Sequence, residues 1–205
     1  MRQAYAQETR ERILVAVAEL MRQAPDGAIS FDELARVAGV ERRTVFRHFA
    51  NKDDLLDAFW VWLNAQVVGK TLPERYADLL QLPVEAFAGF DRQEGIIRAS
   101  LHTPSGREMR LRTLEERRHA FSAALAPMLA GADREDAQRL EQVVHALFSA
   151  ATWETLKDYC GLSGDEAGRT VTWAIQALTE TVQKRAAGQD GRASAPPLQS
   201  QLDEN

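Results

Sequence analysis

The sequence predicts an all-α protein of about nine helices, a three-helix N-terminal unit followed by a larger helical body. Three observations predict this. Apolar residues recur at helical spacing along most of the chain. Ser, Asn or Asp stands three positions before an acidic residue at several helix starts. No stretch alternates apolar and polar residues between hairpin turns.

Each element can be justified in order. In residues 9–24 the positions Ile13, Ala16, Val17, Leu20 and Met21 make one apolar face, and Pro25-Asp26-Gly27 ends the helix. Ser30 opens the second helix: its hydroxyl can accept from the Glu33 amide and the Glu33 carboxylate can reach back. Phe31, Leu34, Ala35 and Ala38 form its buried stripe, and Gly39 stops it where a left-handed backbone is needed. A short third helix over residues 41–49 buries Val45 and Phe49. Asn51 with Asp54 caps a fourth, which leads into Leu55, Leu56, Phe59, Trp60 and Leu63. Beyond it, Pro73 and Pro83 bracket short helices, and residues 95–101 form another. Ser105 with Glu108 opens a long helix towards Leu129, Asp133 with Asp136 one towards Tyr159, and Ser163 with Glu166 a last one to about Ala187.

The 205 residues suffice for one large domain or two small ones, and 45% apolar with 27% charged residues is an ordinary globular balance. The longest apolar run, residues 13–18, is far short of the ~20 that span a bilayer. The acidic and basic residues before it do not suit a secretory leader, so a soluble cytoplasmic chain is expected. Cys160 is the sole cysteine and can form neither an internal disulfide nor a thiolate cluster. The expected division is residues 1–52, 53–187 with the fourth helix joining the two units, and a disordered Gly/Ser/Pro-containing tail, 188–205.

The net charge of −5 disfavours a nucleic-acid partner until its distribution is considered. Residues 1–52 carry nine Lys/Arg against seven Asp/Glu, and the remainder sixteen against twenty-three. A compact basic patch on an acidic body can still attract phosphate, since exposed charges beyond about 10 Å are largely screened. Residues 30–49 have the helix, glycine turn, helix pattern, whose second helix fits a major groove about 12 Å wide. With Val45 and Phe49 turned inward, Arg42, Arg43 and Phe46 project from the other side near the helix start. Arginine there suits guanine, whose O6 and N7 accept its two-pronged fork. The plain alternative is an αα-hairpin with a solvated charge run.

The segment from Ala38 to Leu55 resembles the signature of the TetR (tetracycline-repressor-like) family, with Ala38-Gly39-Val40, Thr44, His48-Phe49, Lys52 and Leu55 all in register. The resemblance runs from about Thr9 to Leu63. It implies an N-terminal DNA-binding domain, a C-terminal effector-binding domain and a homodimer acting as a regulator, most often a repressor, on a palindromic operator. By position it implies phosphate contacts from Thr44, His48 and Lys52 and base contacts from Arg42 and Arg43; Ser30, Phe46 and Arg47 complete the expected DNA-binding set. Two positions depart from the family pattern. Phe46 replaces the usual tyrosine and loses its hydroxyl, and Glu41 stands where a capping Ser or Thr is common.

Residues 140–151 and 170–182 are apolar around more than one face, which suits a dimer built through the last two helices. An aromatic surplus that includes Trp60, Phe87, Phe90, Phe121 and Trp153, with His102, Arg98 and Glu154 as polar partners, suggests a pocket for an apolar effector. Simple core packing is the competing explanation. No metal, cofactor or catalytic residue is expected: the histidines lack zinc-site spacing, and nucleophile-elbow and phosphate-loop motifs are absent from the sequence. An enzyme on a helical scaffold, or an adaptor that uses the basic helix on protein or RNA, are the rivals.

Overall fold

The computed structural model describes residues 2–23, 29–67 and 72–193, and among these it contains helices and no strands. The breaker at Pro25-Asp26-Gly27 and the end of the expected tail, residues 194–205, lie outside the described residues. Helix α1 (Arg2–Gln23), α2 (Phe31–Ala38), α3 (Arg42–His48) and α4 (Lys52–Val67) come first. Then follow α5 (Tyr76–Arg92), α6 (Glu94–His102), α7 (Pro104–Arg112) and α8 (Leu114–Leu125). A 3-10 turn at Ala126–Leu129 leads to α9 (Arg134–Leu147), α10 (Ala150–Cys160) and α11 (Gly164–Ala193).

The N-terminal unit forms as its caps dictate. The Ser30 hydroxyl accepts from the Glu33 amide at 3.2 Å and donates to the Glu33 carboxylate at 3.1 Å, so the return bond runs to the hydroxyl and not to the Ser30 amide. Gly39 ends α2 at φ 64°, a conformation that L residues with a Cβ adopt only under strain. Arg12 of α1 donates to the carbonyls of Ala38 at 2.6 Å and Gly39 at 3.1 Å, which pins the turn to the first helix. Asn51 Oδ1 accepts from the Asp54 amide and Asp54 accepts from the Ala50 amide, so both ends of that cap are satisfied. Ile13, Val17, Leu34, Val45, Phe49, Leu55, Leu56 and Phe59 are fully buried and form one continuous core.

The body differs from expectation at four places, each for a local reason. Pro83 lies inside α5 and does not end it. Its missing N–H opens the helix, and Thr172 of α11 donates to the nearby Leu80 carbonyl at 2.8 Å. Gly168 makes this approach feasible, because a Cβ there would stand 2.5 Å from Val84 Cα. The expected long helix from Ser105 starts two residues earlier: Pro104 occupies the first position and the Thr103 hydroxyl accepts from the Gly106 amide at 3.0 Å. That helix then breaks at Thr113, leaving Ser105 buried. The helix expected to reach Tyr159 breaks at Phe148, where Ser149 restarts the chain by accepting from the Thr152 amide at 3.2 Å. Finally, α11 runs on to Ala193, so residues 188–193, expected to be part of the tail, continue the helix. Its start is as expected, with Glu166 accepting from both the amide and the hydroxyl of Ser163.

Candidate nucleic-acid interface

Helix α3 is held from behind and free in front. Val45 and Phe49 are fully buried, while Arg10 of α1 lies over the Phe49 ring at 4.5 Å and donates to the His48 carbonyl at 3.3 Å. Glu41 sits at the N-cap with no side-chain capping bond, as the departure from Ser or Thr implies, and pairs instead with Arg43 at 2.7 Å. Arg42 pairs with Asp32 of α2 at 3.3 Å. All four groups are largely exposed, so these pairs are each worth little and exchange readily for a phosphate or a base.

The eight expected contact residues differ in exposure. Ser30, Arg42, Arg43, Phe46 and Arg47 are exposed, and Thr44, His48 and Lys52 are half-buried. Phe46 is 44% exposed and packs tilted against Phe31 at 4.7 Å between ring centroids, with the Arg42 guanidinium 5.5 Å above it. The ring thus steers an arginine and offers an apolar edge, in keeping with the loss of the tyrosine hydroxyl. Burial lowers the His48 pKa, and the charges of Arg47 and Arg10 lower it further; its Nε2 is buried without a partner. Lys52 Nζ is bound to Glu108 of α7 at 3.0 Å. Arg112, also on α7, holds Asp53 at 3.2 Å and Asp57 at 3.0 Å. The start of α4 is therefore gripped from the body by one helix.

Behind that grip, α4, α5, α6, α7, α8 and the α9–α10 junction enclose a cavity of about 410 Å³. Trp60, Phe87 and Phe90 line it as the aromatic surplus suggested. Phe121 and Trp153 do not. Phe121 is core, packed on Phe148 at 5.3 Å, and the Trp153 indole N–H donates to Asp91 at 3.0 Å. His102 is on the surface beside Glu154, where Arg98 also pairs with Glu94, Glu154 and Asp158. The polar lining comes from Asn64, Ser100, Arg110, Thr113, Glu116, Arg117 and Ser149. Arg110 and Arg117 are absent from the sequence-based set because they belong to a highly charged run that reads as solvated. For Arg117 the signal was available: it stands four residues before Phe121 on α8, one helical turn from the core.

Dense side-chain bonding supports the far side of the cavity. Asp91 accepts from Trp153, from Lys157 at 3.0 Å and from the Gly164 amide at 2.6 Å, which ties α5 to α10 and α11. Burial alone would raise the Asp91 pKa, but these hydrogen bonds outweigh it and hold the carboxyl below its usual range. On the outer face, Trp173 is 70% and Tyr159 87% exposed, whereas Val144, in a stretch expected to face a partner, is fully buried in its own protomer. No helix among the described residues is long and apolar enough to cross a membrane.

Two short helices joined at a left-handed glycine, with basic residues on the second, carried on an all-α body, define a helix-turn-helix protein. Residues 13–59 match the family model for bacterial regulatory proteins of the tetR family. Over 55 residues the chain is 40% identical to the HTH-type transcriptional regulator AcrR of Shigella flexneri, spanning 27% of this chain and 26% of that protein. It shares its fold with NalD of Pseudomonas aeruginosa, the secondary repressor of the MexAB-OprM multidrug efflux pump. That likeness has a TM-score of 0.62 at 20% identity and covers 84% of this chain and 96% of NalD. A transcriptional regulator from Rhodococcus sp. Rha1 aligns with a TM-score of 0.50 at 18% identity over 85% of this chain and 97% of its own. Residues 13–59 are therefore a tetR-type N-terminal domain, and the chain as a whole has the fold of NalD.

Proposed function

We propose that the protein is a ligand-responsive transcriptional repressor that binds a near-palindromic operator as a homodimer. One observation carries this reading: α7 touches both sites. Glu108 and Arg112 grip Lys52, Asp53 and Asp57 at the start of α4, and Arg110 on the same helix lines the cavity. A ligand that shifts α7 must shift α4, and α4 follows directly on the recognition helix α3. Release then requires only that the ligand bind the non-DNA-binding arrangement more tightly, by a differential affinity of a few kcal/mol.

In the bound complex, Arg42 and Arg43 read base edges, Phe46 packs against sugar or a thymine methyl, and Ser30, Thr44, Arg47, His48 and Lys52 hold phosphates. Lys52 leaves Glu108 to do so. The exposed Trp173 and Tyr159, with Leu178 at 37% exposure, lie on α10 and α11 and supply the apolar surface for the partner protomer. A labelled duplex from the region upstream of the coding sequence, titrated with the protein and followed by fluorescence anisotropy, tests the reading. Preference over scrambled DNA with one dimer per site supports it, and equal affinity for both contradicts it.

A further inference from the structure

The cavity has an electrostatic imbalance that fold stability does not explain. Its walls are apolar, with Trp60, Phe87, Phe90 and Phe148 prominent, yet two guanidiniums line it. Among the described residues, Arg110 donates to the carbonyls of Ser100 and Leu101, the latter at 3.2 Å. Arg117 donates to the Phe148 carbonyl at 3.1 Å and, among the described residues, to nothing else. Each guanidinium has five N–H donors, so both keep donors in reserve. Glu116 is the one carboxylate of the lining; it is exposed and forms no ion pair with either arginine among the described residues. Arg98 is the contrast, with three carboxylates around a single guanidinium on the surface. Arg98 is surrounded by carboxylates, and among the described residues the two cavity arginines have none.

A half-buried cation without a counter-charge is costly, and partial burial acts on both groups in the same direction. Burial presses the pKa of Arg110 down, and Arg107 adds to this. Burial presses Arg117 down as well, and the charge of Arg110 adds to it, so Arg117 feels a second cation of the same lining. An anion between them would remove both penalties and engage the forked geometry in which guanidinium excels. A volume of about 410 Å³ suits a molecule of drug or fatty-acid size.

We propose that the cavity takes an amphipathic organic monoanion, its apolar body against Trp60, Phe87 and Phe90 and its carboxylate between Arg110 and Arg117. The proposal rests on the ligand-responsive reading above and specifies the ligand's chemistry. Because Arg110 belongs to α7, the carboxylate would pull directly on the helix that grips Lys52.

The test is a head-group series on the full chain: decanoate, 1-decanol and decylammonium, all below their aggregation concentrations. Binding is read by calorimetry and by tryptophan fluorescence. Decanoate should bind at least ten-fold more tightly than decanol, and decylammonium more weakly than either. Arg117→Gln should abolish the preference for decanoate, and Arg117→Lys should retain part of it. Affinity that ignores the head group, tightest binding of decylammonium, or no saturable binding by any of the three would overturn the proposal. Should Arg117→Gln lose its cooperative melt, the series on the unaltered chain decides alone. If decanoate binds as expected but leaves DNA affinity unchanged, the ligand class stands and the ligand-responsive reading fails.

Discussion

Lys52, the first residue of α4, lies 3.0 Å from Glu108 of α7, so the side chain proposed to meet a DNA phosphate is held from the helical body. Both side chains are about two-fifths exposed, which makes the pair easily exchanged. Glu108→Gln should therefore free Lys52 and raise affinity for any DNA a few-fold. Lys52→Ala should lower it about equally for all sequences and reduce the salt slope by about one. Anisotropy titrations across a salt series on both variants provide the check.

Arg42 and Arg43 should behave differently from Lys52. Replacing either by Ala should cost about 1–3 kcal/mol at the cognate site and relax base choice at one position. The partners they leave, Asp32 and Glu41, are exposed and carry no comparable folding penalty. Selection from a randomised duplex pool gives the readout. Loss of affinity that is equal on every sequence would remove both residues from base reading.

The N-terminal unit was legible because its signals are local. Ser30, Gly39 and Asn51 each decide a helix end through their own hydrogen bonds or φ angle, and the structure has all three in those roles. The body was less legible because its helix ends depend on distant chain. Pro83 lies inside α5 where Thr172 and Gly168 of α11 pack against the adjoining backbone, and no window around residue 83 contains that information. The aromatic surplus likewise pointed to the right region but could not separate lining from core. Trp153 is core because Asp91, 62 residues away, takes its N–H.

The outer face of α11 should hold the dimer together. Trp173→Asp should give a folded monomer by light scattering, since the indole is 70% exposed and leaves no cavity in its own protomer. Val144→Asp should instead unfold the chain, because it places an unpaired charge at a fully buried site. A stable dimer from Trp173→Asp would move the interface elsewhere.

Acid should loosen the body through Asp91. Its folded-state pKa lies below the unfolded value of 3.8, so the carboxylate's contribution is fully present above that value and is lost as pH falls through the depressed pKa. Asp91→Asn should therefore be less stable than the unaltered chain at pH 7, with the gap closing below about pH 4. Thermal melts at both pH values report it.

The grip between α6 and α7 rests on a glycine. A Cβ at Gly106 would collide with the Ser100 backbone carbonyl, so Gly106→Ala should destabilise by about 1–3 kcal/mol, as overpacking commonly does. It should also disturb the cavity, since Ser100 and Arg110 both line it. Denaturant unfolding measures the first effect, and decanoate affinity the second.

The most direct measurement is DNA affinity as a function of salt on two duplexes, the upstream region and a scrambled control of equal length. A site held by several phosphate contacts per protomer, at about 0.9 of slope for each, predicts a log–log slope of several units on both and a clear preference for the upstream duplex. A slope near zero with no preference would contradict the assignment of α3 and Lys52 as a DNA-reading surface.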